Sequence, residues 1–583
     1  MISCFKDIFY ELNPDDLTAK IVYSPDAQGD IIIPTSICYQ SRKYIIQSIN
    51  EGSFQENFKI QSIKFEEGSL VKSIGKEAFS YSSLECLSIP SSVEELKEGW
   101  CKGALNLNRI LLSTKNNFFS YLPTNKKMIV GKSEPENENY DVLIFACRDI
   151  NEAIIPPSIK FINSFAFNGC NQLFEIHFTE DSKLISIDKC AFSDSSLRCI
   201  AIPSHVKQIG EGSFSECKYL HTINFPNDSE LTSIGSYAFF HSLVREISIP
   251  KQVTKIGDYS FFRCNELHSA TFSEDSEIIS IDEYAFSRTR IEKIYLPSKV
   301  EKLKEGWCGY SLKLNQIDIS SKNKNFFYLD QNKKVIVEKS DSKSEFYDII
   351  NFACRDIESV VISSSIKHIC SFAFYGCKNL QTAELSENSK LLSIGKKAFA
   401  NSSIKIIFIP KNVKNINYGC FSECENLKTI QFSEDSELEI ISKEAFSKSS
   451  IEIITIPRNV DRICEQAFSE CRFLKEIKFA KNSKIDLIEK LAFYNSSLES
   501  IKIPQSIKKI ERRAFSDCKN ILHIEFLSDN LIIDRFCFKD SSNLIIASFP
   551  NAEKINISND SFSRVSNNFS LFIPGCANFI FYS

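Results

Sequence analysis

"SFSECKYLHTINFPNDSELTSIGSYAFFHSLVREISIPKQVTKIG", residues 213–257, decides the fold. Leu220, Ile223 and Phe225 form a short run whose apolar residues partly alternate, and Pro226 with the Asn-Asp-Ser that follows punctuates its end. Ile234, Ala238 and Phe239 then turn the chain back across a core. The ring of Phe239 fills the interior, and the methyl of Ala238 lets the next turn of chain pass close by. A second strand-like run ends at Ile249-Pro250, and the phrase begins again.

Working outward from this stretch, Pro156, Pro203, Pro250 and Pro297 stand 47 residues apart, and Pro410, Pro457 and Pro504 resume the step. Inside each step Phe167, Phe214 and Phe261 are interleaved by Phe192, Phe239 and Phe286 at gaps of 25 and 22 residues. The elementary unit is therefore 22 to 25 residues long. Such a unit cannot bury a hydrophobic face by itself, so its apolar positions must be covered by the units before and after it. The expected object is a β-rich solenoid of about 21 coils of 22 to 25 residues, elongated and curved. With coils about 4.8 Å apart the stack would be on the order of 100 Å long.

A larger duplication overlies the short repeat. "KEGWCKG" at 97–103 recurs as "KEGWCGY" at 304–310, and "FACRDI" at 145–150 recurs at 352–357, both displaced by 207 residues. In both copies the proline step lengthens from 47 to 66 residues, Pro90 to Pro156 and Pro297 to Ser363. Each insertion, "NNFFSYLPTNKKMIVGKS" or "NKNFFYLDQNKKVIVEKS", predicts a hairpin with Asn-Lys-Lys at its turn, either projecting from the solenoid or widening it. Four segments follow: an N-terminal β-hairpin cap at 1–50, a first large copy at 51–293 with its insertion near 112–148, a second at 294–549 with its insertion near 319–355, and a degenerate repeat with C-terminal cap at 550–583.

The phrases "LRCIAIPSHVKQIGEGSFSEC" at 197–217, "IEIITIPRNVDRICEQAFSEC" at 451–471 and "LESIKIPQSIKKIERRAFSDC" at 498–518 resemble the bacterial surface antigen A type of leucine-rich repeat, also called the Treponema pallidum type. The resemblance covers about residues 30 to 575. A composition crowded with Ile, Lys, Asn, Ser and Phe is similar to the trichomonad expansion of that family. The resemblance implies a non-enzymatic surface or secreted protein that adheres to host cells, matrix or other microbes. The start "MISCFKDIFYELNPDD" does not read as a secretory signal, and no stretch approaches 18 apolar residues, so no transmembrane segment is expected. Absence of a signal favours a cytoplasmic or peripherally retained protein, while the resemblance favours the cell surface.

Several functions are disfavoured by composition. Sixty-nine basic against 74 acidic residues leave a net charge of −5, without the basic stripe of a nucleic-acid scaffold. There is no Gly-rich phosphate loop, His-Glu-x-x-His or paired Cys-x-x-Cys, so catalytic, cofactor-binding and metal residues are all expected to be none. Among the 21 cysteines, Cys170, Cys217, Cys264, Cys377, Cys424, Cys471 and Cys518 share one register two coils apart, too far for disulfides. They are expected to be buried free thiols, with pairing left open for Cys190, Cys199 and Cys420.

Binding is the remaining reading, with a protein or glycan as ligand. Strand alternation turns Ser88, Ala201, Ser248, Tyr295, Phe408, Thr455 and Lys502 outward, and in companion strands His177, Asn224, Thr271, Glu384, Gln431, Lys478 and Glu525. These vary from coil to coil while the interior hardly changes. Tyr295 and Phe408 are the sharpest candidates, because aromatics supply large contact area, followed by His177, Lys478 and Lys502. The insertions add Phe118 and Phe119 in one copy and Phe326 and Phe327 in the other. Trp100 and Trp307 stand beside the insertions, either repairing the solenoid or marking a paired site. The expected role is a protein-interaction or adhesion scaffold; the alternative is an intracellular scaffold for protein complexes.

Overall fold

The computed structural model describes residues 1–341, 346–575 and 578–582. Residues 342–345 of the second insertion and residues 576, 577 and 583 of the expected C-terminal segment lie outside the described residues. The chain divides into two compact units, Met1–Ile291 with Pro297–Cys308, and Glu292–Leu296 with Gly309–Ser583. Both are β-solenoids, with roughly 20 to 24 parallel-stacked coils in the chain, and no helix occurs among the described residues.

Each coil has two strand segments. The longer ends at the Ile-Pro or Phe-Ser boundary, as in Glu246–Ile249, and pairs in parallel with its counterpart Ser269–Phe272 through Glu246↔Ser269 to Ile249↔Phe272. The shorter is two residues long, as in Ser233–Ile234, and pairs in parallel with Lys255–Ile256. In the first unit seven of these short strands, from Phe161–Ile162 to Lys302–Leu303, lie in one ten-stranded sheet, and Ser73–Ile74 and Glu95–Leu96 lie in a seven-stranded one; in the second unit they belong to a thirteen-stranded sheet. The solenoid is tied laterally by this ladder.

Between short strand and long strand the chain makes a turn that inserts one Phe ring per coil. In the first unit Phe167, Phe192, Phe214, Phe239, Phe261 and Phe286 stack with centroids 4.8, 5.2, 5.3, 5.1 and 5.1 Å apart. In the second, a column runs from Phe374 through Phe399, Phe421, Phe446, Phe468, Phe493 and Phe515 to Phe538. All are fully buried. The alternation of 22 and 25 residues therefore delivers each ring onto the preceding one, and stacking adds to the area it removes from water.

The insertions widen the sheet of short strands. Phe119–Leu122 runs antiparallel to Asn125–Gly131, which runs antiparallel to Val142–Ala146, and that strand joins Phe161–Ile162 in parallel. The second unit repeats this with Phe326–Tyr328, Val335–Glu338 and Ile349–Ala353. In the first copy the turn falls at Pro123-Thr124, and Asn125-Lys126-Lys127 opens the returning strand; the expected Asn-Lys-Lys turn does not hold there. The Pro pre-sets a tight turn earlier than the pattern alone indicated. In the second copy Gln331 and Asn332 make the turn and Lys333 takes a φ of 56°.

Candidate functional site

Outward positions on the long strands come in two rows, because each four-residue strand turns its first and third residues away from the core. Within the second unit the six-stranded sheet from Ser359–Ile362 to Glu476–Phe479 presents these rows without interruption. Over three successive strands, Ile406–Ile409, Thr429–Phe432 and Ile453–Ile456, the six outward residues are Ile406, Phe408, Thr429, Gln431, Ile453 and Thr455. None is charged. Ile406 and Ile453 are 42% and 48% exposed, and Phe408 is half-buried opposite Gln431. A groove of about 1110 Å³ lies over this window.

The lining also carries Lys428, Glu434, Asp435, Glu452 and Arg458, part of them paired. Lys428 pairs with Glu452 at 3.1 Å and Lys411 with Asp435 at 2.7 Å. The Lys411 ammonium and the Ser433 hydroxyl hold the Asp435 carboxyl below its usual range. On the next strand Lys478 turns to Glu476 at 3.2 Å, and Lys502 reaches Glu525 at 3.0 Å across neighbouring strands. These two lysines border a separate groove of about 1010 Å³. Paired charges on exposed strands add little attraction for a ligand, whereas uncharged side chains of mixed size offer area that sheds water at small cost.

The remaining candidates are dispersed. Tyr295 lies half-buried on Lys293–Leu296 opposite Asp318, beside the Lys293–Asp318 ion pair at 2.8 Å. His177, in the first unit, is exposed on Glu175–Phe178, with Nε2 3.3 Å from Glu175 Oε2. At the insertions the aromatic pairs split. Phe119 and Phe326 are 7% and 1% exposed and form part of the core, so neither is available to a partner. They are the true counterparts, 207 residues apart; Phe118 precedes its partner and is half-buried, while Phe327 follows and is 58% exposed. Trp100 is buried, its ring 5.3 Å from Phe145 and edge-on to Phe79, which is a packing role.

Sequence reasoning passed over Ile406, Ile453 and the 69%-exposed Val361, all outward on the same sheet. Their signal was present: each stands two residues from a named outward position or on the strand after an insertion. It also passed over Arg148 and Arg355 in "FACRDI", both buried without a carboxylate partner. Arg148 donates to Ala166 O at 3.1 Å and to Cys101 Sγ at 3.6 Å; Arg355 donates to Ala373 O at 3.0 Å and Gly309 O at 3.1 Å. Each lies over a ring, Phe145 at 4.6 Å and Phe352 at 4.1 Å. These guanidiniums seal carbonyls where the insertion breaks the coil ladder.

Among the described residues no group of three or more His, Cys, Asp or Glu is placed to hold a metal ion, and no helix is long and apolar enough to cross a membrane. Parallel coils, one aromatic ring per coil and a variable strand face define a leucine-rich repeat solenoid. The BspA type leucine-rich repeat region matches residues 36–126, 142–268, 228–332, 349–475 and 439–568. The chain belongs to this family. No curated protein is similar to it in sequence. Solved structures similar to it include a leucine rich cell surface protein from Faecalibacterium prausnitzii A2-165, 19% identical over 90% of this chain and 94% of that one, with a TM-score of 0.32. A leucine-rich repeat protein from Eubacterium ventriosum ATCC 27560 is 19% identical over 77% and 95%, TM-score 0.40. The pneumococcal vaccine antigen PcpA is 14% identical over 98% of both chains, TM-score 0.33.

Proposed function

We propose that this chain is a non-enzymatic protein-interaction scaffold that holds a protein or glycan ligand on the strand face of its second unit. The observation that carries the reading is the uncharged window of outward residues from Ile406 to Thr455, flanked by the Lys428–Glu452 and Lys478–Glu476 ion pairs. We further propose that the scaffold works as an adhesin toward host-cell, matrix or microbial ligands, a reading supported by the resemblance to surface antigens of this repeat type and to their trichomonad expansion. The test is surface biotinylation of intact producing cells, with a cytosolic enzyme as leakage control, followed by saturable cell binding of the purified chain. Phe408→Asp is expected to lower that binding about tenfold or more by placing an unpaired carboxylate in the window, while Lys502→Ala leaves it within about twofold. Strict protection from the label would sink the adhesin reading and leave an intracellular scaffold; equal binding by Phe408→Asp would move the site off this face.

A further inference from the structure

A third cleft, independent of the strand-face window, lies among the first strands of the first unit. Its volume is about 1020 Å³. Three stretches border it, residues 3–8, 30–32 and 36–39, and each contributes consecutive residues.

Among the described residues, Ile2–Phe5 pairs only with Ile8–Asn13, Gly29–Ile33 only with Ile60–Phe65, and Ser36–Tyr39 only with Arg42–Ile49. Ile33 gives its carbonyl to the N–H of Glu66 at 3.0 Å. By alternation Ile31 also faces that neighbour, and the N–H and C=O groups of Asp30 and Ile32 face the open side. Ile32, 63% exposed, is a large apolar residue on an unprotected edge, the arrangement that invites another strand.

Tyr10 supplies an independent sign. It lines the cleft and is completely buried, yet its hydroxyl has no hydrogen-bond partner. A buried hydroxyl left unpaired is destabilising and calls for a group to complete it. The lining also carries Asp7, Asp30 and Glu66 against one ammonium, Lys6, which rests 5.5 Å from the Phe5 ring. Asp30 accepts from the Ser62 hydroxyl and Glu66 from the Thr35 N–H at 3.0 Å, but among the described residues none of the three carboxylates has an ion-pair partner.

We propose that this cleft takes an extended peptide of a partner protein as an added β-strand on Gly29–Ile33, one whose side chains alternate apolar and basic. The apolar side chains pack on Ile31 and Ile37, the basic ones meet the three carboxylates, and a polar group of the peptide completes the Tyr10 hydroxyl.

The test uses the full chain and two labelled nonapeptides, one alternating valine with lysine and the other valine with glutamate, read by fluorescence anisotropy. A third, the lysine peptide N-methylated at alternate backbone nitrogens, lacks the donors for strand pairing. The lysine peptide is expected to bind, with the glutamate and N-methylated peptides about tenfold weaker or worse. Ile32→Pro removes an N–H that faces the cleft and leaves the ladder to Ile60–Phe65 intact. It should weaken lysine-peptide binding about tenfold with an unchanged circular dichroism spectrum. Tyr10→Phe should weaken binding by about fivefold without lowering the melting temperature. Phe408→Asp, in the other unit, should bind the peptide normally, which separates this site from the strand-face window. No binding by the native chain, equal binding of all three peptides, or concentration-dependent self-association abolished by Ile32→Pro would each overturn the proposal, the last by making a second copy the occupant.

Discussion

At the scale of single residues the coil depends on backbone that most side chains avoid. The turn carrying each ladder Phe passes twice through the left-handed region, two residues before the ring and two after. Around Phe239 these are Tyr237 and His241 with φ of 57° and 56°, and around Phe446 they are Glu444 and Lys448 with 57° and 59°. A residue with a Cβ loses about 1 kcal/mol there relative to Gly, so Lys448→Gly, which gives up only an exposed ion pair with Glu470 at 3.8 Å, is expected to raise stability by about that amount in thermal melts. Gly306 has φ 59° and an added Cβ would meet the Tyr284 ring at 2.6 Å; Gly306→Ala should cost about 2 kcal/mol or more. The register cysteines are equally local in their logic. Cys217, Cys264 and Cys471 donate to the carbonyls of Phe192, Phe239 and Phe446 at 3.1, 3.0 and 3.1 Å, joining one coil to the previous one. Burial pushes all three thiols from 9.0 up to about 12. The folded chain therefore keeps protons that the unfolded chain loses, so stability should fall as pH rises from about 9 toward 12. Urea titrations across that range check it, and Cys264→Ala should flatten the slope. With every described cysteine free, alkylation of the native chain should begin at the exposed Cys4, Cys38 and Cys199.

At the scale of elements the two insertions are one design with one informative difference. Tyr121 and Tyr328 tie their hairpins to the strand face in the same way, each hydroxyl donating to a strand carbonyl, Ile110 O at 2.8 Å and Ile317 O at 2.9 Å. Where the first copy has Gly131 packed against Ile144 and Phe119, the second has half-buried Glu338, with Asn351 in place of the isoleucine. Burial drives the Glu338 carboxyl from 4.5 up to about 7, against a hydrogen bond from Asn351. Between those values the folded chain holds a proton that the unfolded chain has released. The stability contributed by this group should therefore decline as pH rises from about 4.5 to 7, by at most about 3 kcal/mol, with no further change from Glu338 above that. Glu338→Gln should abolish this slope and be the more stable protein at pH 8. In the aromatic columns, Phe446→Ala removes a ring stacked on both sides and should cost about 3–5 kcal/mol by chemical denaturation.

At the scale of the whole chain, stability is a sum of coils and of contacts between neighbours. Deleting residues 204–250, one step of 47, joins Pro203 to Lys251 and preserves the succession of Phe, Cys and Ile-Pro. The shortened chain is expected to fold with native-like circular dichroism and a lower melting temperature. Deleting only 40 residues from the same point would set a ring against a strand position and should yield insoluble protein. The strand face follows the same arithmetic, because a ligand read by three strands needs its three coils in sequence, so a deletion within 406–455 should end binding while one in the first unit leaves it intact.

The sequence by itself determined the repeat, its half-steps, the buried register of Phe and Cys, and one of the two outward rows of the long strands. These follow from periodicity, since every coil sees the same neighbours and one reading serves all. Tertiary structure alone decided matters that break the period. It turned Phe119 and Phe326 inward, because the hairpin strands joined the sheet of short strands and each needed one ring to cover its base. It buried Arg148 and Arg355 against carbonyls exposed by the insertion. It also left Gly29–Ile33 with a free edge above an unpaired phenol. A pattern repeated along a chain states what stacks on what; it carries no record of which edges, ends and interruptions remain without a neighbour.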